Sequence, residues 1–224
     1  MTNTKQIMVT LIPLSSINLY SQTIKLDESR FEASHVSMSI EKVMGKVAMR
    51  VIKDSTVKEA DEPTYARIKA SNFINGTIEV SVLSRLLKNA PATARGFIGI
   101  AFRINNNNSQ FECIYIRPTN GRADDQVRRN HSIQYFSFPD YKFDRLRKDS
   151  PEKYESYADI GLNEWIKLKI EVKGKQAKLF INENKQPSLI VNDLKHGDNS
   201  SGAVGLYVDN GTEGFFTDLR VRKD

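Results

Sequence analysis

The sequence predicts an all-β fold, a jelly-roll sandwich of two antiparallel sheets, and three observations carry that reading. Apolar residues recur with a period of two from residue 23 onward, two stretches read as hairpins in register, and long helical periodicity is absent. At 224 residues the chain is long enough to bury one substantial core, so residues 22–224 are expected to form a single domain.

The elements follow in order. Ile78, Val80 and Val82 alternate with Thr77, Glu79 and Ser81, the pattern of a strand buried on one face. Ser84 to Asn89 reads as a single helical turn. Gly96–Ile104 and Phe111–Arg117 flank a polar loop. Pairing Ile104 with Phe111 sets Phe102 opposite Cys113 and Ile100 opposite Tyr115, and leaves Arg103 facing Glu112 on the other side, beside Gly99 and Ala101. Glycine within a strand gives up packing, so Gly99 marks a close approach by a ligand or another backbone. Trp165–Val172 and Ala177–Asn182 form the second hairpin about a Gly174-Lys175 turn, with Val172 opposite Ala177, Ile170 opposite Leu179 and Leu168 opposite Ile181. Gly202–Val208 and Phe215–Val221 close the sandwich. The segment at about 118–161 is dense in Arg, Asp, Tyr and Phe. A connection of that length in a compact domain points to function, and its aromatic content argues against disorder.

Composition narrows the function classes. Thirty-three basic and 27 acidic residues are interspersed, so the net charge of +6 describes a mixed solvated surface rather than a nucleic-acid face. No stretch approaches the roughly 20 apolar residues of a membrane span. The single cysteine, Cys113, excludes an intramolecular disulfide and reads as a buried, inert thiol. Residues 1–21, with Lys5 before the run Ile7 to Leu14, have the outline of a secretory signal, and a periplasmic or secreted location is expected, with the cytoplasm as the alternative.

Four strings carry a resemblance: Phe73-Ile74-Asn75-Gly76-Thr77-Ile78-Glu79-Val80, Gly96-Phe97-Ile98-Gly99-Ile100-Ala101-Phe102-Arg103, Trp165-Ile166-Lys167-Leu168-Lys169-Ile170-Glu171-Val172 and Gly202-Ala203-Val204-Gly205-Leu206. Over roughly residues 30–222 they follow the strand order of laminin-G-like and concanavalin A-like lectin/glucanase domains. The chain is particularly similar to the bacterial 3-keto-disaccharide hydrolase domains, relatives of the family 16 glycoside hydrolase fold. The resemblance implies a jelly roll and a saccharide ligand. Family 16 enzymes carry Glu-x-Asp-x-Glu along one strand, and this chain does not. Its nearest text, Glu59-Ala60-Asp61-Glu62, has the wrong spacing and precedes Pro63.

The expected site lies where residues 118–161 drape over the sheet surface bearing Arg103 and Glu112. Glycosidases need two carboxyl groups about 5–9.5 Å apart. Glu112 is one candidate, with Asp124, Asp125, Glu155 or Asp159 as partner, and His131 is a second acid/base candidate. Arg103, Arg117, Arg128 and Arg129, with Asn120, Gln134, Tyr135 and Tyr157, are expected to hold a saccharide, an anionic or oxidised sugar among the candidates. A structural reading stands beside this one, with Arg103 and Glu112 as a cross-strand ion pair and arginines fixing loop carbonyls. His35, His131 and His196 lack metal-ligand spacing, so no catalytic metal or other cofactor is expected. Asp209, Asn210 or Asp218 are candidate donors to a structural calcium. A hydrolase or lyase on a glycan ranks first, a non-catalytic carbohydrate-binding module second, and a laminin-G-like protein-interaction domain third.

Overall fold

The computed structural model describes residues 22–224, and the stretch expected to hold an export signal lies outside them. In chain order the strands are β1 (Gln22–Thr23), β2 (Phe31–Ser34), β3 (Val36–Val43), β4 (Lys46–Lys53), β5 (Tyr65–Ile68), β6 (Gly76–Leu86), β7 (Ile98–Ile104), β8 (Phe111–Ile116), β9 (Ile133–Phe138), β10 (Glu155–Ser156), β11 (Ile166–Lys173), β12 (Gln176–Ile181), β13 (Leu189–Val191), β14 (Ala203–Val208) and β15 (Thr212–Lys223). Three short helices, α1 (Pro118–Gly121), α2 (Gln126–Asn130) and α3 (Phe143–Asp149), lie between β8 and β10. The first sheet runs β13-β12-β11-β6-β15-β4-β3, with β1 also paired to β15, and the second runs β10-β9-β8-β7-β14-β5-β2. Both are antiparallel, and the chain is the jelly-roll sandwich its patterning predicts. Among the described residues no helix is long and apolar enough to cross a membrane.

The inner face of the first sheet follows directly from alternation. Ile78, Val80 and Val82 of β6 pair with Ile170, Leu168 and Ile166 of β11, and all six are buried. Each such side chain contributes about 1.5–3 kcal/mol on leaving water. The β11–β12 hairpin has the expected register, closed by Lys173 opposite Gln176 around Gly174, whose φ of +56° suits glycine. Ser84 to Leu86 do not form a helical turn; they continue β6 and pair with β15. β14 and β15 are consecutive but lie in opposite sheets, so the Asp209–Gly211 turn carries the chain across the sandwich.

The β7–β8 hairpin departs from the predicted register. Beside the loop, the Asn105 N–H donates to the Gln110 carbonyl, as the sequence suggests. One extra residue then enters β7: from Ala203 to Gly205 of β14 the partners run from Ile104 to Ala101, and Arg103 sits at a φ of +54°. Every pair beyond this bulge slips by one. Ile100 lies opposite Ile114 rather than Tyr115, Ala101 opposite Cys113, and Phe102 rather than Arg103 opposite Glu112. A one-residue slip exchanges faces, so Gly99 and Tyr115 share a face that Ile98, Ile100 and Glu112 do not. The latter set faces the other sheet: a Cβ built on Gly214 of β15 would lie 3.1 Å from Ile98 Cδ1.

The bulge also re-aims Arg103. Its guanidinium is buried and donates to the carbonyls of Ile74 (3.0 Å), Gly174 (2.8 Å) and Gly197 (2.8 Å), and so ties three loops together at one end of the sandwich. Segment 118–161 is not only a drape. Its Ile133–Phe138 stretch is a full strand of the second sheet, buried on both faces, and its near-continuous apolar text hid the alternation. Replacing Arg103 with Lys should destabilise the fold by about 2–4 kcal/mol, because one ammonium cannot serve three buried carbonyls in place of the planar fork. Urea denaturation giving less than about 0.5 kcal/mol would show that the loops hold without it.

Candidate functional site

The outer face of the second sheet carries Gly99, Ala101, Cys113, Tyr115, Gln134, Phe136 and Tyr207 on adjoining strands. The rings form one layer, with centroid separations of 5.6 Å for Tyr115–Tyr207, 5.9 Å for Tyr115–Phe136 and 5.5 Å for Phe136–Tyr207. Gly99 stands between Tyr115 and Tyr207, and a Cβ there would fall 2.5 Å from the Tyr115 Cα. The close approach that this glycine marks is therefore made by the neighbouring strand, and aromatic rings fill the floor that small side chains seemed to leave for a ligand.

Two segments roof part of this layer. The Asp61 N–H donates to Asp209 Oδ2 at 3.0 Å, the Phe143 N–H donates to Asp61 Oδ2 at 2.7 Å, and Lys142 pairs with Glu62. Beyond the roof, where β8 runs into α1, a cavity of about 340 Å³ remains. Phe97, Tyr115 and Phe143 supply its apolar walls; Arg95, Arg117, Asn120, Arg128, His131 and Arg147 supply most of its polar groups.

Arg117 fixes the geometry. Buried beneath the cavity, it donates to the Tyr115 hydroxyl (2.8 Å), Gln134 Oε1 (3.0 Å), the His131 carbonyl (3.1 Å) and Glu155 Oε1 (3.2 Å). Arg147 also pairs with Glu155. Burial alone would raise the Glu155 carboxyl, but the two guanidinium groups bring it below the usual range. Burial lowers His131, and Arg147 and Arg117 add to that against Glu155, so the imidazole is neutral near pH 7. Asp125 caps α2 by accepting from the Arg128 N–H at 2.9 Å, which fixes where that residue leaves the backbone. Arg95 donates from Nη1 to the carbonyls of Ala92 (2.7 Å) and Ala94 (2.8 Å). Among the described residues neither Arg95 nor Arg128 pairs with a carboxylate. Burial lowers Arg95 below its ordinary value, and the charges of Arg128 and Arg117 lower it further, as expected of cations crowded toward one space.

The predicted site residues divide into three groups. Arg117, Asn120, Arg128 and His131 come together at the cavity, with Gln134 supporting Arg117 from behind. Arg129 and Tyr157 lie at an adjoining hollow that shares His131 as a wall, the Arg129 Nη2 donating to the Tyr157 hydroxyl at 2.7 Å. Glu112, Arg103 and Tyr135 are elsewhere, in the interior. Glu112 has no exposed surface and accepts from the Tyr135 hydroxyl at 2.6 Å and the His196 N–H at 2.9 Å, which anchors the 194–197 turn. It meets neither Arg103 nor residues 118–131, so the expected Arg103–Glu112 hollow does not form. Of the carboxyl groups offered as its partner, Asp125 caps α2, Asp159 pairs with Arg122 at 2.6 Å, and Glu155 is held by two arginines.

Arg95, Phe97, Phe143 and Arg147 went unnoticed in the sequence. Phe143 and Arg147 stand four apart on α3 and meet as ring and guanidinium at 5.3 Å, a spacing the sequence displays once a helix is assigned there. The calcium donors do not converge: Asp209 takes Lys53 at 2.6 Å in a buried pair, while Asp218 takes Lys46 at 2.9 Å on the first sheet.

No family model matches the sequence, and no curated protein matches it. Among solved structures the chain is similar to the carbohydrate-binding module CBM66 of Bacillus subtilis, at a TM-score of 0.53 and 12% identity over 84% of this chain and 94% of that one. It is also similar to a protein of unknown function with a galectin-like fold from Bacillus subtilis, at a TM-score of 0.51 and 11% identity over 92% of this chain and 95% of that one. These likenesses establish the fold.

Two expectations follow from the buried carboxyl groups. Burial, and next the charge of Asp209, push Asp61 up to about 7 from 3.8. The folded state thus holds a proton that the unfolded chain releases earlier, and this group subtracts stability progressively as pH rises across that interval. An Asp61→Asn variant should lose less stability than the parent between about pH 5 and pH 8, measured by denaturant unfolding. Parallel pH profiles for the two proteins would refute the assignment. Glu112→Gln, whose amide can give its oxygen to the His196 N–H only by setting its NH2 against the Tyr135 hydroxyl that now donates to the carboxylate, should cost about 1–3 kcal/mol of stability and leave the cavity's ligand affinity unchanged. A loss of affinity without loss of stability would return Glu112 to the site.

Proposed function

We propose that the protein is a carbohydrate-binding module for an acidic saccharide, held in the cavity between α1, α2 and α3. One observation carries the reading: two guanidinium groups, Arg95 and Arg128, line the aromatic-walled space and pair with no carboxylate among the described residues, since Asp209, which also lines it, is taken by Lys53. A carboxylate or sulfate on a sugar supplies that charge through a pair of oxygens that meets the guanidinium fork bidentately. Phe97 and Phe143, both half-buried with Tyr115 packed behind them, offer apolar surface to the C–H faces of a pyranose ring, and Asn120, accepting from Arg128 Nη2 at 3.4 Å and donating to the His131 carbonyl at 3.1 Å, positions the guanidinium. The volume is in the range of small-molecule sites. The likeness in fold to a carbohydrate-binding module is in keeping with a saccharide, and a periplasmic or secreted location would suit it.

Binding is favoured over hydrolysis because the carboxyl groups at the cavity are already engaged. Asp209 accepts from Lys53, Tyr207 and the N–H groups of Asp61 and Asn210, and Glu155 serves Arg117 and Arg147. A second reading, β-elimination on a uronate, rests on His131, a neutral imidazole at the same cavity as the arginines and so able to accept a proton.

Calorimetry against oligogalacturonate and its neutral reduced counterpart tests the proposal. The acidic ligand should bind, more weakly as salt rises, and Arg95→Ala with Arg128→Ala together should weaken it by at least tenfold. Equal affinity for the neutral ligand, or indifference to the double substitution, would sink the reading. Appearance of an unsaturated product on long incubation, abolished in His131→Ala, would favour elimination instead.

A further inference from the structure

The central cavity is not a dead end. On one side it shares His131 with the hollow of about 210 Å³ that holds Tyr157. On another it shares Thr93 and Asn210 with a hollow of about 460 Å³ beside Lys58 and Asn89. Spaces that share lining residues adjoin, so the three stand in a row as a trough of neighbouring hollows. Resting on the acidic-saccharide reading, we infer that the trough binds an internal stretch of a linear acidic polysaccharide, at least three sugar units long, rather than a chain end.

The flanking hollows have the chemistry for this. Tyr157 is 40% exposed, and its ring is pinned by Arg129, whose guanidinium lies 5.0 Å from the centroid and donates to the hydroxyl. A pre-positioned ring of that kind stacks on a sugar at little entropic cost. Glu152 also lines that hollow, so this end contributes stacking rather than positive charge. At the other end Lys58 and the Asn89 amide are exposed, and the Asp54 carboxylate is turned into its own loop, accepting from the Thr56 N–H at 2.8 Å. Lys58 is the accessible cation at that end, beside a carboxylate that keeps its charge. Arg95 and Arg128 lie between the two ends, so a ligand unit held by them has room for a neighbour on either side, which a terminal-residue pocket lacks.

The test uses the full chain and size-fractionated oligomers of polygalacturonate, alginate, hyaluronan and heparin, together with the parent polymers. For the polymer that binds, affinity should rise at least tenfold from dimer to hexamer and then level off. Tyr157→Ala and Lys58→Ala should each weaken the hexamer three- to tenfold and leave the dimer unchanged. Titration of the polymer should load several protein molecules per chain, in proportion to chain length. Equal affinity for dimer and hexamer, or one protein per chain whatever its length, overturns the internal-stretch inference while the cavity's role stands, provided Arg95→Ala still weakens binding. Failure of all four polymers at low salt overturns the acidic-saccharide reading and this inference with it.

Discussion

Burying a guanidinium costs several kcal/mol unless its charge and its N–H groups are met, and both terminal nitrogens of Arg117 have two partners each. Glu155 supplies the opposite charge, the Tyr115 hydroxyl, Gln134 amide and His131 carbonyl accept the remaining bonds, and the rings of Tyr115 and Phe143 lie 5.1 and 5.7 Å from it. These partners come from β8, β9, β10, the end of α2 and α3. One cation therefore fastens the whole of segment 118–161 to the sheet. The cavity exists because this knot holds its walls apart and in place, and a wall held by charge-assisted bonds does not collapse onto an empty site.

The same economy explains why the ligand space is at the end of the sandwich rather than across its middle. Both faces of the second sheet are buried, one against the first sheet and the other beneath its own layer of aromatic rings. With Tyr115, Phe136 and Tyr207 packed together there is no open sheet surface for a sugar. The roof over that layer is held by the buried Asp61 and Asp209, with Lys53 neutralising Asp209. What stays accessible is the rim, where α1 and α2 turn the chain back.

How much of this was legible in the sequence depended on whether a strand has one buried face or two. β11 and β12 are polar on one side, so alternation alone specifies their register. β9 is apolar on both sides, and its Ile133–Phe138 text was read as part of a loop. The β7–β8 pairing was right beside its loop and wrong beyond it, because a bulge depends on a backbone angle at Arg103 that no spacing rule encodes. That slip moved Glu112 into the interior and took the expected hollow with it. Arg117, Asn120, Arg128 and His131 were legible because they fall close together in sequence, whereas Arg95, Phe97 and Arg147 reach the cavity only through tertiary packing.

Residue type did not separate binding arginines from structural ones, but partnership does. Arg103 spends its donors on three loop carbonyls, and Arg117 and Arg147 share Glu155, so each is committed before any ligand arrives. Arg122 and Arg145 are paired at the surface, where such bridges contribute little. Arg95, although its Nη1 donates to the Ala92 and Ala94 carbonyls, and Arg128 have no carboxylate partner among the described residues, and unlike the deeply buried Arg103 they stand at a cavity where rings and an imidazole converge. The net charge of the whole chain conveys none of this, since its acidic and basic residues are interspersed and largely cancel. A local surplus against an aromatic wall is what an anionic ligand would meet, and it arises here because the carboxylate closest in role, Glu155, was needed to keep Arg117 in the interior.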